Sequence, residues 1–159
     1  MAEILDSGER RQFFDANGNP MAVRDISDDK GRCDLLPLDV VGEYLCNDTL
    51  KAIHEFKESG DYKFLYAAIA YADIAEPYTL MLEVSKHFED GAKKYGEGNW
   101  TRGIPTHCYI DSAARHYLKH LRGDNDEMHN RAFVWNLLCC AWTCIHKPEL
   151  NDYGKENEK

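Results

Sequence analysis

Two stretches of the sequence place carboxylates, imidazoles and amides at helical spacing, and oxygen donors projecting from two helices suit a hard divalent cation. In DEMHNRAFVWN, residues 126–136, Asp126, His129, Phe133 and Asn136 fall on one face at i, i+3, i+7 and i+10, with Glu127 and Asn130 beside them. The run FVWNLLCCAWTCI is apolar around its whole circumference, so Asn136 lies in a dry helix and needs a partner; a buried amide without one costs about 1–3 kcal/mol. In the second stretch Glu83, His87, Asp90 and Lys94 share a face, and Glu83 sits between Leu82 and Val84 at the apolar boundary. Lys93 and Lys94 follow at a helix end, beside a glycine turn that leads to Trp100. Asp111 and Arg115 form an i, i+4 pair next to His116. Lysines, an arginine and a magnesium ion together suit a polyphosphate. The plain alternatives are a capping cluster around one satisfied core asparagine, solvated ion pairs such as Glu89–Lys93, and a hydrogen-bonded helix histidine at His116.

The elements that must position these residues are helices. Asp39 and Asp48 are placed to cap short helices over VVGEYL and TLKAIHEFK, the second ended by SGD at 59–61. A third helix runs through YKFLYAAIAYADIA until Glu76-Pro77. The fourth extends from near Thr79 to near Gly96 with Leu80, Val84 and Phe88 as its apolar stripe. The fifth covers about 108–122, with Ile110, Ala114, Tyr117, Leu118 and Leu121 on one face, and Gly123 ends it. The sixth starts near Asp126, reaches about Ile145, and should be central. Residues 1–38 are polar and turn-rich and show no β-hairpin with alternating flanks; they are expected to form an extended arm. The expectation is one all-α domain over 1–159, bundle-like in its packing, with 1–20 and 150–159 flexible.

Composition narrows the partners. With 159 residues, 43% hydrophobic and 30% charged, the chain suits one soluble globular domain. A net charge of -9 argues against nucleic acid and anionic membranes as partners. Cys33, Cys46, Cys108, Cys139, Cys140 and Cys144 contain no CxxC pair, which leaves a zinc site little support. The start MAEILDSGERRQFF lacks the apolar segment of a signal peptide, and no apolar run approaches a bilayer-spanning length, so the cytoplasm is the expected location. YKFLYAAIAYA carries more apolar and aromatic surface than a lone surface helix needs, which points to a homo-oligomer.

AVRD (22–25), KGRCDLLPLDVV (30–41), LEVSKHFEDGAKKYGEGNW (82–100), the GIP and CYIDSAARHYLK segments within 103–119, and DEMHNRAFVWN (126–136) together resemble the dATP/dGTP diphosphohydrolase domain of phage and bacterial genomes. That domain is akin to the all-α MazG-type nucleotide pyrophosphohydrolases. The resemblance covers about residues 20–148, and the combination of GAKKYG, NW, RH and VWN carries it. It implies a MazG-like helical bundle, usually oligomeric, in a bacterial or phage-infected cell. It implies cleavage of a purine deoxynucleoside triphosphate to the monophosphate and pyrophosphate with Mg2+, or with Mn2+ in its place. Carried over, Glu83 and Glu127 become the catalytic carboxylates, and Glu83, Asp126, Glu127 and Asn130 the metal set; the family pattern has Asp where Asn130 stands. Lys93, Lys94, Tyr95, Asn99, Trp100, Asp111, Arg115, His129 and Asn136 become the substrate-binding set. Arg24, Asp25, Lys30 and Arg32 become a lid over the nucleotide. Two competitors are an HD-type triphosphohydrolase, whose His-Asp dyad is broken here as His129-Asn130, and a non-catalytic nucleotide-binding helical module.

Overall fold

The computed structural model describes the backbone of residues 2–5, 10–25 and 30–154. Six α-helices among these form the expected all-α bundle: α1 (Leu38–Tyr44), α2 (Asp48–Ser59), α3 (Lys63–Tyr71), α4 (Pro77–Tyr95), α5 (Thr106–Arg122) and α6 (His129–His146). The apolar circumference of α6 has its predicted consequence. It packs against α3, α4 and α5, and Phe133, Val134, Leu137, Cys139 and Cys140 are all buried along it.

Helix ends follow local chemistry, with corrections to the expected caps. Asn47, not Asp48, caps α2 by accepting from the Leu50 amide, and Asp48 falls in the first turn. Asp39 likewise lies inside the first turn of α1, after Pro37. The helix expected to reach Glu76 stops at Tyr71; Ala72 follows, and then Asp73 takes a positive φ of 46°. α4 starts two residues early because Pro77 suits the first helical position and the Glu76 carboxylate accepts from the Tyr78 and Thr79 amides. Leu80 and Val84 are buried as the stripe requires, with Phe88 half-buried, whereas Leu121 at the end of α5 is exposed. α6 begins at His129 rather than near Asp126. Asp126 and Glu127 therefore sit in the α5–α6 connection, and the expected i, i+3 helical pairing of Glu127 with Asn130 does not form.

The N-terminal arm holds an antiparallel sheet in the order β1 (Ala2–Leu5), β2 (Arg10–Phe14), β3 (Pro20–Asp25), so the absence of a hairpin is corrected. The turn DANGNP makes it. The Asp15 carboxylate accepts from the Asn17 and Asn19 amides, and Gly18 takes a φ of +79°. β2 reads RRQFF, without alternation, which hid the strand from a periodicity test. β3 docks on the bundle through the 3-10 turn Asn99–Arg102: the Ala22 amide donates to the Gly103 carbonyl (2.9 Å), and the Asn99 side chain bonds both backbone groups of Val23 (3.1 and 3.2 Å). Of the tail expected to be flexible, Asn151 and Asp152 bond to Gly60, Thr106 and His107, and Tyr153 packs edge-on against Phe56. Residues 1, 6–9, 26–29 and 155–159 lie outside the described residues.

Candidate functional site

A cleft of about 690 Å³ opens between β3, the second half of α4, the loop that follows it, and the start of α6. Its walls are of two kinds. One is aromatic: Trp100 packs edge-to-face on Phe88 (5.1 Å between ring centres) and on Trp142 (5.0 Å), and Trp135 stacks against His87 (4.9 Å). The other is charged, with Arg24, Lys30, Lys94 and Arg131 set among the carboxylates of Glu89, Asp90, Glu97 and Glu127. Arg131 bonds Asp90 at 2.9 Å, tying α6 to α4 beside the opening.

Arg24 reaches from β3 into the seam between α5 and α6. Its Nη2 donates to Ser112 Oγ (2.6 Å) and to Asn136 Oδ1 (2.8 Å), and the guanidinium stands over the Tyr109 ring. Asn136 Nδ2 donates to the Ala132 carbonyl (2.8 Å). The buried amide singled out in the sequence is thus satisfied, and one of its partners comes from the arm, 112 residues away.

At the inner end, α5 and α6 bring two imidazoles together. His116 Nδ1 and His129 Nδ1 are 2.9 Å apart, and Glu127 Oε1 is 3.4 Å from each. His129 Nε2 is 2.7 Å from Asp126 Oδ1. His129 is 1% exposed and Glu127 52%, so the cluster has a closed side and an open one. Burial, helped by the neighbouring His129, pushes His116 down to about 3, and burial beside Arg131 pushes His87 down to about 4. Both rings are neutral near pH 7. The hydrogen bond from His129 holds the Asp126 carboxyl below its usual range.

The proposed site residues divide. Lys94, Tyr95, Asn99, Trp100, Glu127 and Asn136 line the cleft, and His129 backs it. Lys93 is not on the lining but pairs at 3.2 Å with Glu89, which is, and Asn99 spends its amide on Val23. Asp111 and Arg115 are held to each other (2.6 Å) and fasten the segment before α1: Asp111 accepts from the Cys33 amide, and Arg115 donates to the Gly31 carbonyl. Arg115 lies on a second, shallower cavity of about 450 Å³ with Lys30, Lys119 and Arg122. Of the lid residues, Arg24 and Lys30 line the cleft, while Arg32 is held by Asp34 at 2.8 and 2.6 Å; the Asp25 side chain lies outside the described residues. Sequence reasoning missed His87 and Arg131 as lining residues and the meeting of His116 with His129. His87 had a signal on the Glu83–Lys94 face, His116 in the RH motif and Trp135 in the VWN motif, but none was assigned to the site.

Among the described residues, Glu83, Asp126 and Asn130 of the expected oxygen set do not join Glu127 on the cleft lining. Glu83 lies off the cleft lining with its carboxylate on Lys86 (2.8 Å), and Asn130 Oδ1 accepts from the Arg131 amide. The donors that do converge near the cleft are two imidazole nitrogens and one carboxylate oxygen.

The profile of the family described as dATP/dGTP diphosphohydrolase, N-terminal, matches residues 55–153. The chain belongs to that family. No curated protein and no solved structure gives a match. Within this diphosphohydrolase family segment fall α4, α5 and α6 and so the aromatic wall, Lys94, Arg131 and the His116–Glu127–His129 cluster. Arg24 and Lys30, which close the cleft from the arm, lie outside it.

Proposed function

We propose that the cleft hydrolyses a purine deoxynucleoside triphosphate, dATP or dGTP, to the monophosphate and pyrophosphate with the help of a divalent cation. What carries this reading is the joining of an aromatic wall to a rim of lysines, arginines and carboxylates in one cleft of about 690 Å³, within a chain of the diphosphohydrolase family. An aromatic surface offers a stacking face to a base. Lys94, Arg131 and Lys30 offer charge-assisted donors to phosphate oxygens. Water attacks the α-phosphorus in line. A new P–O bond forms, the bond from the α-phosphorus to the bridging oxygen breaks, and pyrophosphate leaves with that oxygen. The water's proton passes to a carboxylate. Glu127 is favoured over Glu83 for this, because Glu127 lines the cleft.

The protein is proposed to act in the cytoplasm as a homo-oligomer. No helix among the described residues is long and apolar enough to cross a membrane. Tyr66 and Tyr71 on α3 and Tyr78, Met81 and Leu82 on α4 are exposed, an apolar surface of the kind that marks contacts between copies.

The test is product analysis. Purified chain is incubated with each dNTP and Mg2+ or Mn2+, and the phosphate product is identified by 31P NMR. Pyrophosphate from dATP or dGTP is the expected result. Tripolyphosphate would move the chain to a triphosphohydrolase reading, and nucleotide binding without turnover to a non-catalytic one.

A further inference from the structure

We propose that His116, His129 and Glu127 form a binding site for one divalent transition-metal ion, of the Mn2+ to Zn2+ series, at the inner end of the cleft. The argument is geometric. Ligand atoms about 2.1 Å from a common ion stand about 3.0 Å apart at right angles and about 3.4 Å apart at the tetrahedral angle. The three separations here are 2.9, 3.4 and 3.4 Å. Three donors at those spacings define one face of a coordination shell, and the remaining positions open toward the cleft, because His116 and Glu127 line it.

The surroundings are those of a metal-ligating histidine. Such rings characteristically give their other N–H to a carboxylate, which fixes the tautomer and turns the lone pair to the ion. His129 does this through Nε2 to Asp126 at 2.7 Å, leaving Nδ1 to coordinate. Without an ion, Nδ1 of His129 accepts the Nδ1 proton of His116. When an ion enters, that proton moves to Nε2 of His116 and both lone pairs turn inward.

The donor set decides the class of ion. Mg2+ takes oxygen ligands in octahedral array and parts reluctantly with water. Two imidazoles and one carboxylate suit Mn2+, Fe2+, Co2+ or Zn2+, and open positions are a property of such two-histidine, one-carboxylate sites. Glu127 contributes Oε1 here, and Oε2 remains for the water proton in the proposed hydrolysis. The ion's presence does not rest on the nucleotide reading, since it is read without substrate.

The test is titration of the metal-stripped full chain with Co2+, followed by visible d–d absorption and by calorimetry. One ion should bind per chain with new absorption bands, and millimolar Mg2+ should leave them in place. His116→Ala and Glu127→Gln should each weaken binding at least 100-fold, and Asp126→Asn 10- to 100-fold. Glu127 is half exposed, so its substitution tests the site even if His116→Ala fails to fold, which circular dichroism reports. No bands, or bands of undiminished affinity in the Glu127→Gln and Asp126→Asn variants, would overturn the proposal. A chain that binds Co2+ as described but turns over no dNTP would support the metal site and refute the reaction.

Discussion

Replacing Arg24 by alanine removes the one hydrogen-bond partner that the Asn136 side-chain oxygen has among the described residues. Asn136 is 2% exposed although it lines the cleft, so water reaches its oxygen only by filling the space the guanidinium leaves. An orphaned buried acceptor costs about 1–3 kcal/mol. Ser112 lines the cleft, where water can replace the lost guanidinium contact, so its share is about 1 kcal/mol or less. The sum is roughly 1–4 kcal/mol, which for a chain of 159 residues is a fall in Tm of roughly 2–15 °C. The backbone bonds of Ala22 and Val23 still hold β3 on the loop, so the arm should stay docked. The origin of the loss is separable by a double-mutant cycle in urea. In an Asn136→Ala background there is no amide left to orphan, so Arg24→Ala should then cost about 1 kcal/mol or less, giving a coupling of about 1–3 kcal/mol. If the two substitutions add to within about 0.5 kcal/mol, the amide is not what Arg24 serves and the reasoning fails.

Trp100→Ala should lower kcat/KM for dATP and dGTP more than for dCTP, by roughly tenfold for a stacking contribution of about 1–3 kcal/mol; an equal fall for all three with a lower Tm would make it purely a packing residue against Phe88 and Trp142. Lys94→Ala should weaken every dNTP alike, roughly tenfold or more, while Lys93→Ala should change kcat/KM less, because Lys93 is not on the cleft lining and is held by Glu89; equal effects of the two would refute the placement. His107 is raised from 6.5 to about 10, first by its bond to Asp152 and then by Cys108. Its stabilising contribution is therefore full below about pH 6.5 and lost as pH rises through 10, so the gap in urea midpoint between wild type and His107→Gln should close across that window, and a constant gap would refute the linkage. Sedimentation at micromolar concentration should show a multimer, and Tyr78→Glu with Leu82→Glu should shift it toward monomer; a monomeric wild type refutes the interface.

What the sequence made legible was what short-range pattern carries. The apolar circumference of FVWNLLCCAWTCI announced α6 as central, and the glycines at 96 and 123 announced the ends of α4 and α5. Lys94 and Trp100 were found through a motif, and both line the cleft. The failures have physical causes. β2 runs Arg-Arg-Gln-Phe-Phe without alternation, so no period-2 signal existed. Glu83 looked like a boundary carboxylate by its neighbours, but Lys86, one turn on, captures it. Asn136 was recognised as needing a partner, yet nothing local could name Arg24, since that contact depends on how the arm folds back. His116 and His129 sit on different helices and meet only because the α5–α6 connection turns the chain back at Gly123. Asp126 and Glu127 were read as helix-face residues when they belong to that connection, and there both reach His129.

The docking of β3 separates the cleft into parts held under different constraints. Its floor, α4 to α6, is bundle, and every change there must respect a packed interior. Its remaining wall is a ribbon laid on from outside, fixed by a few backbone bonds and by one arginine that plugs into the floor. A ribbon of this kind can be lengthened at the exposed Asn17-Gly18 tip without disturbing the bundle. Arg24 is the exception, because the floor's own amide depends on it. The wall is thus a replaceable jaw with one fixed pin, and variation in what the cleft admits should accumulate in the jaw around that pin while the cluster at its base stays as it is.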